Sequence, residues 1–167
     1  GQLVGYPILN LAGKRGGGMA DTVAYVNSVE DLVIETLVHL GLTNCGRVDQ
    51  YPGVWVDPNS ANPRKIAAVG VRLTRGRTMH GFALNIEPDM TYFDSIIPCG
   101  ITDKSVTSLS REGIDASMAE AVAIVSELAA KKWGMGNFSR AWTSHGELLK
   151  ANSAPFLREK AQEKYQS

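Results

Sequence analysis

The sequence predicts a mixed α/β (α+β) chain, and three stretches carry that reading. A β-branched, apolar run from Lys65 to Leu73 is followed by the turn Thr74-Arg75-Gly76-Arg77 and by a second strand from Thr78 to Ile86. Beginning at Asp21, Val23, Val26, Val29, Leu32, Val33, Leu37 and Leu40 recur three and four residues apart, the period of one helix face. A third stretch opens with Ser117-Met118-Ala119-Glu120, a capping box, and places Ala121, Val122, Val125, Leu128 and Ala129 on one helical face.

The remaining elements follow in chain order. Residues 3–11 are apolar and read as a buried strand. Gly13-Lys14-Arg15-Gly16-Gly17-Gly18 is a loop, because successive glycines are costly in a helix or strand. Asp21 caps the first helix and Gly41 stops it. Val54-Trp55-Val56 is a short strand held between Pro52-Gly53 and Pro58, and residues 59–64 form a loop. Pro88 ends the hairpin. Tyr92 to Ile97 is short and apolar, with its type left open. Pro98-Cys99-Gly100 is a sharp non-helical turn. Gly134 and Gly136 end the second helix, and residues 147–167 read as a polar helical tail. With no internal repeat and no clear boundary, residues 1–167 are expected to form a single domain. The chain starts with Gly inside strand-like sequence, so an N-terminal piece is expected to be missing.

Composition excludes several classes. At 44% hydrophobic and 20% charged residues the chain is globular in type, not disordered, collagenous or coiled coil. Lys+Arg and Asp+Glu number 17 each, whereas a nucleic-acid-binding chain is usually clearly basic. No apolar run is long enough to span a bilayer, so no membrane association is expected. Two cysteines without CxxC spacing make no disulfide framework and point to a reducing cytoplasm.

The candidate reactive groups each have a bland alternative. Cys99 lies in a tight turn that can present its thiol as a nucleophile, yet free Cys more often packs as a small hydrophobe. Cys45 has no partner motif and reads as structural. Lys65 opens a strand of small apolar residues, where burial favours the neutral amine and makes it a proton acceptor. Its alternative is a strand-end lysine that snorkels to water. His80 shares a face with Phe82, Leu84 and Ile86 by period two and reads as a hydrogen-bonded core residue. His39, His80 and His145 lack metal-ligand spacing, so no metal is expected. Gly70 and Gly81, in adjacent strands, either leave a groove for an extended ligand or merely pack. Arg72, Arg75 and Arg77 form a solvated hairpin tip or meet an acidic partner.

Taken together, several segments resemble the lipoate-biosynthesis octanoyltransferases. They are Gly1-Gln2-Leu3-Val4-Gly5-Tyr6-Pro7, Gly53-Val54-Trp55-Val56, Arg64-Lys65-Ile66-Ala67-Ala68-Val69-Gly70-Val71-Arg72, His80-Gly81-Phe82-Ala83-Leu84-Asn85 and Ile97-Pro98-Cys99-Gly100-Ile101. Val106-Thr107-Ser108-Leu109 also fits, and the order and spacing agree to about residue 110. The resemblance implies a biotin/lipoate protein ligase-like fold, a mixed sheet packed by helices. It implies a catalytic dyad falling on Cys99 and Lys65, and an acyl pocket lined by Ala68, Val69, Gly70, Gly81, Phe82 and Ala83. In that family the pocket also borrows an Arg-Gly-Gly stretch and a His that precede the Gly1–Pro7 segment and lie outside this chain. The implied partners are octanoyl-acyl carrier protein as donor, and the lipoyl domains of 2-oxoacid dehydrogenases and the glycine cleavage H protein as acceptors. No cofactor is implied.

The chemistry of such a dyad is direct. A free thiol is only about 3% ionised at pH 7. A neighbouring ammonium lowers its pKa by roughly one to three units, so that thiolate becomes a large fraction. Three other readings compete: an ATP-dependent lipoate or biotin ligase of the same fold, an inactive fragment or binding module, and a cysteine hydrolase pairing Cys99 with His80 or His145. A ligase would rely on lysine without a nucleophilic Cys, and the hydrolase has no local signature here.

Overall fold

A computed structural model describes residues 1–11, 21–95 and 105–134, with the side chains of residues 94 and 95 excepted. The expected Gly13–Gly18 loop, Pro98-Cys99-Gly100 turn and 147–167 tail lie outside the described residues. The described residues belong to one compact unit.

The strands are β1 (Gln2–Gly5), β2 (Cys45–Val48), β3 (Tyr51–Val56), β4 (Arg64–Thr74), β5 (Arg77–Asn85) and β6 (Ser105–Val106), and the helices are α1 (Thr22–His39) and α2 (Met118–Trp133). They build one sheet in the order β1-β5-β4-β3-β2, antiparallel throughout, while β6 pairs parallel with β4. The expected mixed sheet packed by helices is therefore present.

The central hairpin follows from its turn. Arg75 and Gly76 take φ of 50° and 75°, both positive, and the Thr74↔Arg77 pair closes a two-residue loop. Two positive φ values in sequence give the turn twist that suits a two-residue hairpin. Both helix caps form as the sequence predicts. The Asp21 carboxylate accepts from the Ala24 amide at 2.9 Å, and the Ser117–Glu120 box is complete. Gly41, at φ 99°, follows the Leu40 cap.

One face of the sheet carries the core. Val29, Leu32, Val33 and Leu37 of α1 and Ala121 and Leu128 of α2 meet Val54, Val56, Ile66, Ala67, Phe82 and Leu84 from the strands. Val23, expected on the α1 core face, is exposed, because it lies in the first helical turn.

Four strand expectations are corrected. Residues 3–11 are not a buried strand. The regular ladder with β5 ends at Gly5 and is followed by a separate bridge, Asn10↔Arg77, while Val4, Tyr6 and Ile8 are exposed and Leu3, Leu9 and Leu11 pack on the core. This is an edge strand with only one face covered. Pro52-Gly53 does not bound β3 but lies inside it, in a stretch where the β2–β3 register shifts and no regular rung is required of proline. Arg64 belongs to β4 and not to the preceding loop. His80 is exposed, with its ring edge-on to Tyr6 at 6.2 Å, because its φ of 62° breaks the alternation that would have turned it inward. The stretch around Tyr92 is a 3-10 helix over Met90–Ser95.

The segment 105–113 is tied to the middle of the sheet. The Thr107 amide donates to the Lys65 carbonyl at 2.9 Å, the Leu109 amide to the Asn85 carbonyl at 3.0 Å, and Asn85 Nδ2 to the Thr107 carbonyl at 2.9 Å. Arg64 grips Glu112 with two nitrogens at 2.9 Å each and Asp57 at 2.8 Å, and Thr107 Oγ1 donates to Glu112. The guanidinium holds the Glu112 carboxyl below its ordinary range, against the opposing effect of its partial burial.

Two outcomes follow from this packing. A Cβ on Gly81 would meet the Gly5 carbonyl oxygen at 2.2 Å, whereas one on Gly70 meets nothing within 4 Å. Gly81→Ala should therefore cost roughly 1–3 kcal/mol or more in a denaturant melt, and Gly70→Ala should leave the midpoint nearly unchanged. Glu112→Gln should cost roughly 1–3 kcal/mol at pH 7. A carboxyl whose folded pKa is depressed stabilises above its unfolded pKa and ceases to as pH falls through the folded value. The deficit of the variant should thus shrink below its ordinary value of 4.5, as read by urea melts across pH 2–7.

Candidate active site

Strict alternation along β4 would put Lys65 on the same face as Ala67 and Val69, and Ala68 and Gly70 on the other. The ladder with β3 shows otherwise. Lys65 pairs with Trp55, but Ala67 pairs with Val54, so Ile66 is an extra residue without its own partner. This β-bulge turns both Ile66 and Ala67 toward the helices, where each is fully buried. Lys65 is thereby moved to the opposite face, with its cross-strand partner Trp55 and with Ala68 and Gly70.

On that face the ammonium is held at several points. Lys65 is only 6% exposed. Its Nζ donates to the Pro52 carbonyl at 3.0 Å and stands 4.6 Å from the centre of the Trp55 ring. A cation over an indole face is attracted by the ring quadrupole, more strongly when water is excluded. Trp55 is fixed in turn, its indole N–H donating to the Tyr51 carbonyl at 3.0 Å. Gly53 makes room for the lysine stem: its φ is 125°, and a Cβ there would meet the Ala67 oxygen at 2.5 Å and Lys65 Cε at 3.4 Å. The snorkelling alternative for Lys65 is thus not what is observed.

The expected acyl-pocket residues are brought together as facing pairs, Ala68↔Ala83, Val69↔Phe82 and Gly70↔Gly81. The sheet then divides them. Ala68, Gly70, Gly81 and Ala83 share the Lys65 face, where Ala68 and Gly70 are open to solvent. Phe82 is buried in the helix-side core with Val69 packed against it, and the Phe82 ring lies over Gly5. Both rungs are made of small residues only, with Ala68 and Gly70 open to solvent and Gly81 buried against Gly5 and Pro7.

Cys99 lies outside the described residues. The described chain stops at Ser95 and resumes at Ser105, which pairs with Arg64, the neighbour of Lys65. Cys45 is half-buried, its Sγ–H donates to the Leu42 carbonyl at 3.4 Å, and burial pushes the thiol pKa up. Those surroundings disfavour the thiolate and agree with a structural role.

Sequence reasoning missed Glu30. It sits on α1, is only 4% exposed, and accepts from the Gly53 amide at 2.8 Å and from Arg47 Nε at 2.7 Å. A carboxylate at a core-facing helical position between Val29 and Leu32 was the available signal. Among the described residues no group of His, Cys, Asp and Glu could hold a metal ion, and no helix is long and apolar enough to cross a membrane.

Comparison with known proteins agrees with this architecture. The octanoyltransferase of Salinispora tropica is 47% identical over 127 residues, covering 75% of this chain and 57% of that protein. The octanoyltransferase of Cutibacterium acnes is 51% identical over 113 residues, covering 67% of this chain and 39% of that protein. The chain thus spans about half the length of these curated relatives. Among solved structures, a lipoate protein ligase from Thermoplasma acidophilum with bound lipoic acid superposes with a TM-score of 0.60 at 12% identity, over 91% of this chain and 58% of that one. The biotin protein ligase of Aquifex aeolicus gives 0.57 at 18% identity, over 79% and 52%. At such identities the likeness speaks for the fold alone. Residues 1–129 match the profile of the lipoyl protein ligase A/B catalytic domain, and with the identities to octanoyltransferases this establishes that the chain belongs to that family.

Proposed function

We propose that the protein transfers an octanoyl group from acyl carrier protein to a lysine amine of a lipoyl domain through a thioester on Cys99. The observation that carries this reading is the buried ammonium of Lys65, set by the β-bulge on the same face as the small-residue rungs Ala68↔Ala83 and Gly70↔Gly81. The chain that follows Cys99 rejoins the sheet beside that lysine, at the Arg64↔Ser105 pair. The octanoyltransferase relatives support the acyl group. A solved relative described together with its lipoyl domain supports the acceptor class.

In the first step the Cys99 thiolate attacks the thioester carbonyl of the carrier. The tetrahedral intermediate expels the carrier thiolate, which takes up a proton. In the second step the acceptor amine attacks the acyl-enzyme, an amide forms, and Cys99 leaves as thiolate while the amine's proton is released. Lys65 supplies the positive charge that favours thiolate and gives and receives these protons. The donor is already a thioester and the product an amide, so the transfer needs no ATP. The small-residue surface would take the octanoyl chain, at about 0.8 kcal/mol per buried CH₂. Ala68, Gly70 and Ala83 would touch it directly, Gly81 would hold β1 close along β5, and Val69 and Phe82 would support the strands from behind. Acceptors are lipoyl domains of 2-oxoacid dehydrogenases and the glycine cleavage H protein, and the compartment is the cytoplasm. Arg72, Arg75 and Arg77, all exposed around the hairpin tip, give an acidic carrier a landing point.

Intact mass after incubation with octanoyl-acyl carrier protein tests the thioester. One octanoyl group should be gained and then lost on hydroxylamine treatment. Cys45→Ala should acquire it and Cys99→Ala should not, and acylation of Cys99→Ala would overturn the assignment. Lys65→Ala should raise the midpoint pH of Cys99 alkylation by about one to three units. An unmoved profile would remove Lys65 from its role. Reversing the charges of Arg75 and Arg77 should flatten the salt dependence of transfer, and an unaltered salt slope would dismiss the landing point.

A further inference from the structure

We propose that Glu30 is a positioning residue that acts on Lys65 through the single peptide group joining Pro52 to Gly53. The inference rests on the role given to Lys65 above. The carbonyl of that peptide accepts from Lys65 Nζ at 3.0 Å, and its N–H donates to Glu30 Oε1 at 2.8 Å. The two side chains thus bind opposite ends of one amide. A carboxylate on the N–H end draws electron density toward the carbonyl oxygen, and hydrogen bonds in such a chain strengthen one another. An oxygen made more negative in this way binds an ammonium better than it binds a neutral amine. Glu30 therefore favours the cationic form of Lys65, the form that stabilises a thiolate, without touching it.

The surroundings keep the relay aligned. Arg47 holds the second Glu30 oxygen at 2.7 Å and is itself fixed to Asp31 and to the Asn27 carbonyl at 2.6 Å each. Oε1 is left facing Gly53. The peptide itself is fixed by the Gly53 φ of 125°, a conformation that L side chains rarely adopt, and by the contact a Cβ would make with the Ala67 oxygen. Helix α1 thereby reaches across β3 to a group on the far side of the sheet.

The test uses NMR and a double-mutant cycle on the chain. In Lys65→Met, which keeps the stem, the Gly53 amide proton should move upfield as its bond to Glu30 weakens. In Glu30→Gln, the Lys65 side-chain nitrogen and the Pro52 carbonyl carbon should shift. A Gly53 amide unmoved by Lys65→Met would overturn the relay even if Glu30→Gln failed to fold. In octanoyl transfer, Glu30→Gln should slow the parent by about tenfold, the scale of a lost hydrogen bond to a charged group, and should have no further effect in Lys65→Ala. An equal loss in both backgrounds would show that Glu30 acts on the fold and would overturn the proposal. Full transfer by Lys65→Ala alone would strike down the role of Lys65, a failure distinct from silence of the Gly53 amide.

Discussion

Placing an ammonium inside a folded chain is the demand around which this sheet is arranged. An unpaired buried charge costs several kcal/mol, so such a group survives only where its partners are built in. Lys65 has a carbonyl and an aromatic face, both on β3. Neither would be within reach if β4 kept perfect alternation, because the lysine would then point into the helix-side core among Val54, Ala67 and Leu84. One extra residue, Ile66, resolves the conflict by spending two consecutive apolar side chains on the core and sending the lysine the other way.

The same strand also fixes what lies on either side of the lysine. Its backbone carbonyl receives the Thr107 amide, and its neighbour Arg64 binds Glu112 and Asp57 while its backbone pairs with Ser105. Residues 105–113 are thus bound to β4 and to the end of β5 by main-chain and charged contacts together. Charge-assisted pairs that share one guanidinium give geometric definition beyond their modest net stability. For the proposed chemistry of Cys99 and Lys65, definition of that kind would matter more than stability.

The sequence was informative where local rules act alone. Both helices could be read because their caps, Asp21 and Ser117–Glu120, and their apolar spacing are local features. The central hairpin could be read because Arg75-Gly76 is a local turn signal between two β-branched runs. It was silent where neighbours decide. The bulge at Ile66 is visible only once β3 is laid beside β4, since Lys65-Ile66-Ala67-Ala68 alone gives no sign of which residue is extra. β2 and β6 are short, and their apolar content is too low for a strand pattern. His80 was placed by period two, a rule that fails at a residue with positive φ. Glu30 was passed over because a lone carboxylate in a helix is usually solvated, and only its contacts with Gly53 and Arg47 distinguish it.

The fold does not choose between transferring an acyl group from a thioester and activating a carboxylate with ATP. Solved ligases share this architecture at TM-scores of 0.57 to 0.60, and function has to be argued from the site. A buried lysine serves either chemistry. In a ligase it would meet the negative charge of an activated carboxylate; in a transferase it would meet a thiolate. What separates them is a nucleophile able to hold the acyl group between donor and acceptor, and the surroundings of Cys45, its thiol bonded to the Leu42 carbonyl and its pKa pushed up by burial, disfavour it for that task. The transferase reading therefore places the whole covalent burden on Cys99. In that reading Lys65 has to regain its cationic form after each proton it gives up, so that Cys99 is again favoured as thiolate. The proposed relay, a fixed peptide dipole backed by a carboxylate on its far end, would favour that return without offering the acyl-enzyme a second base.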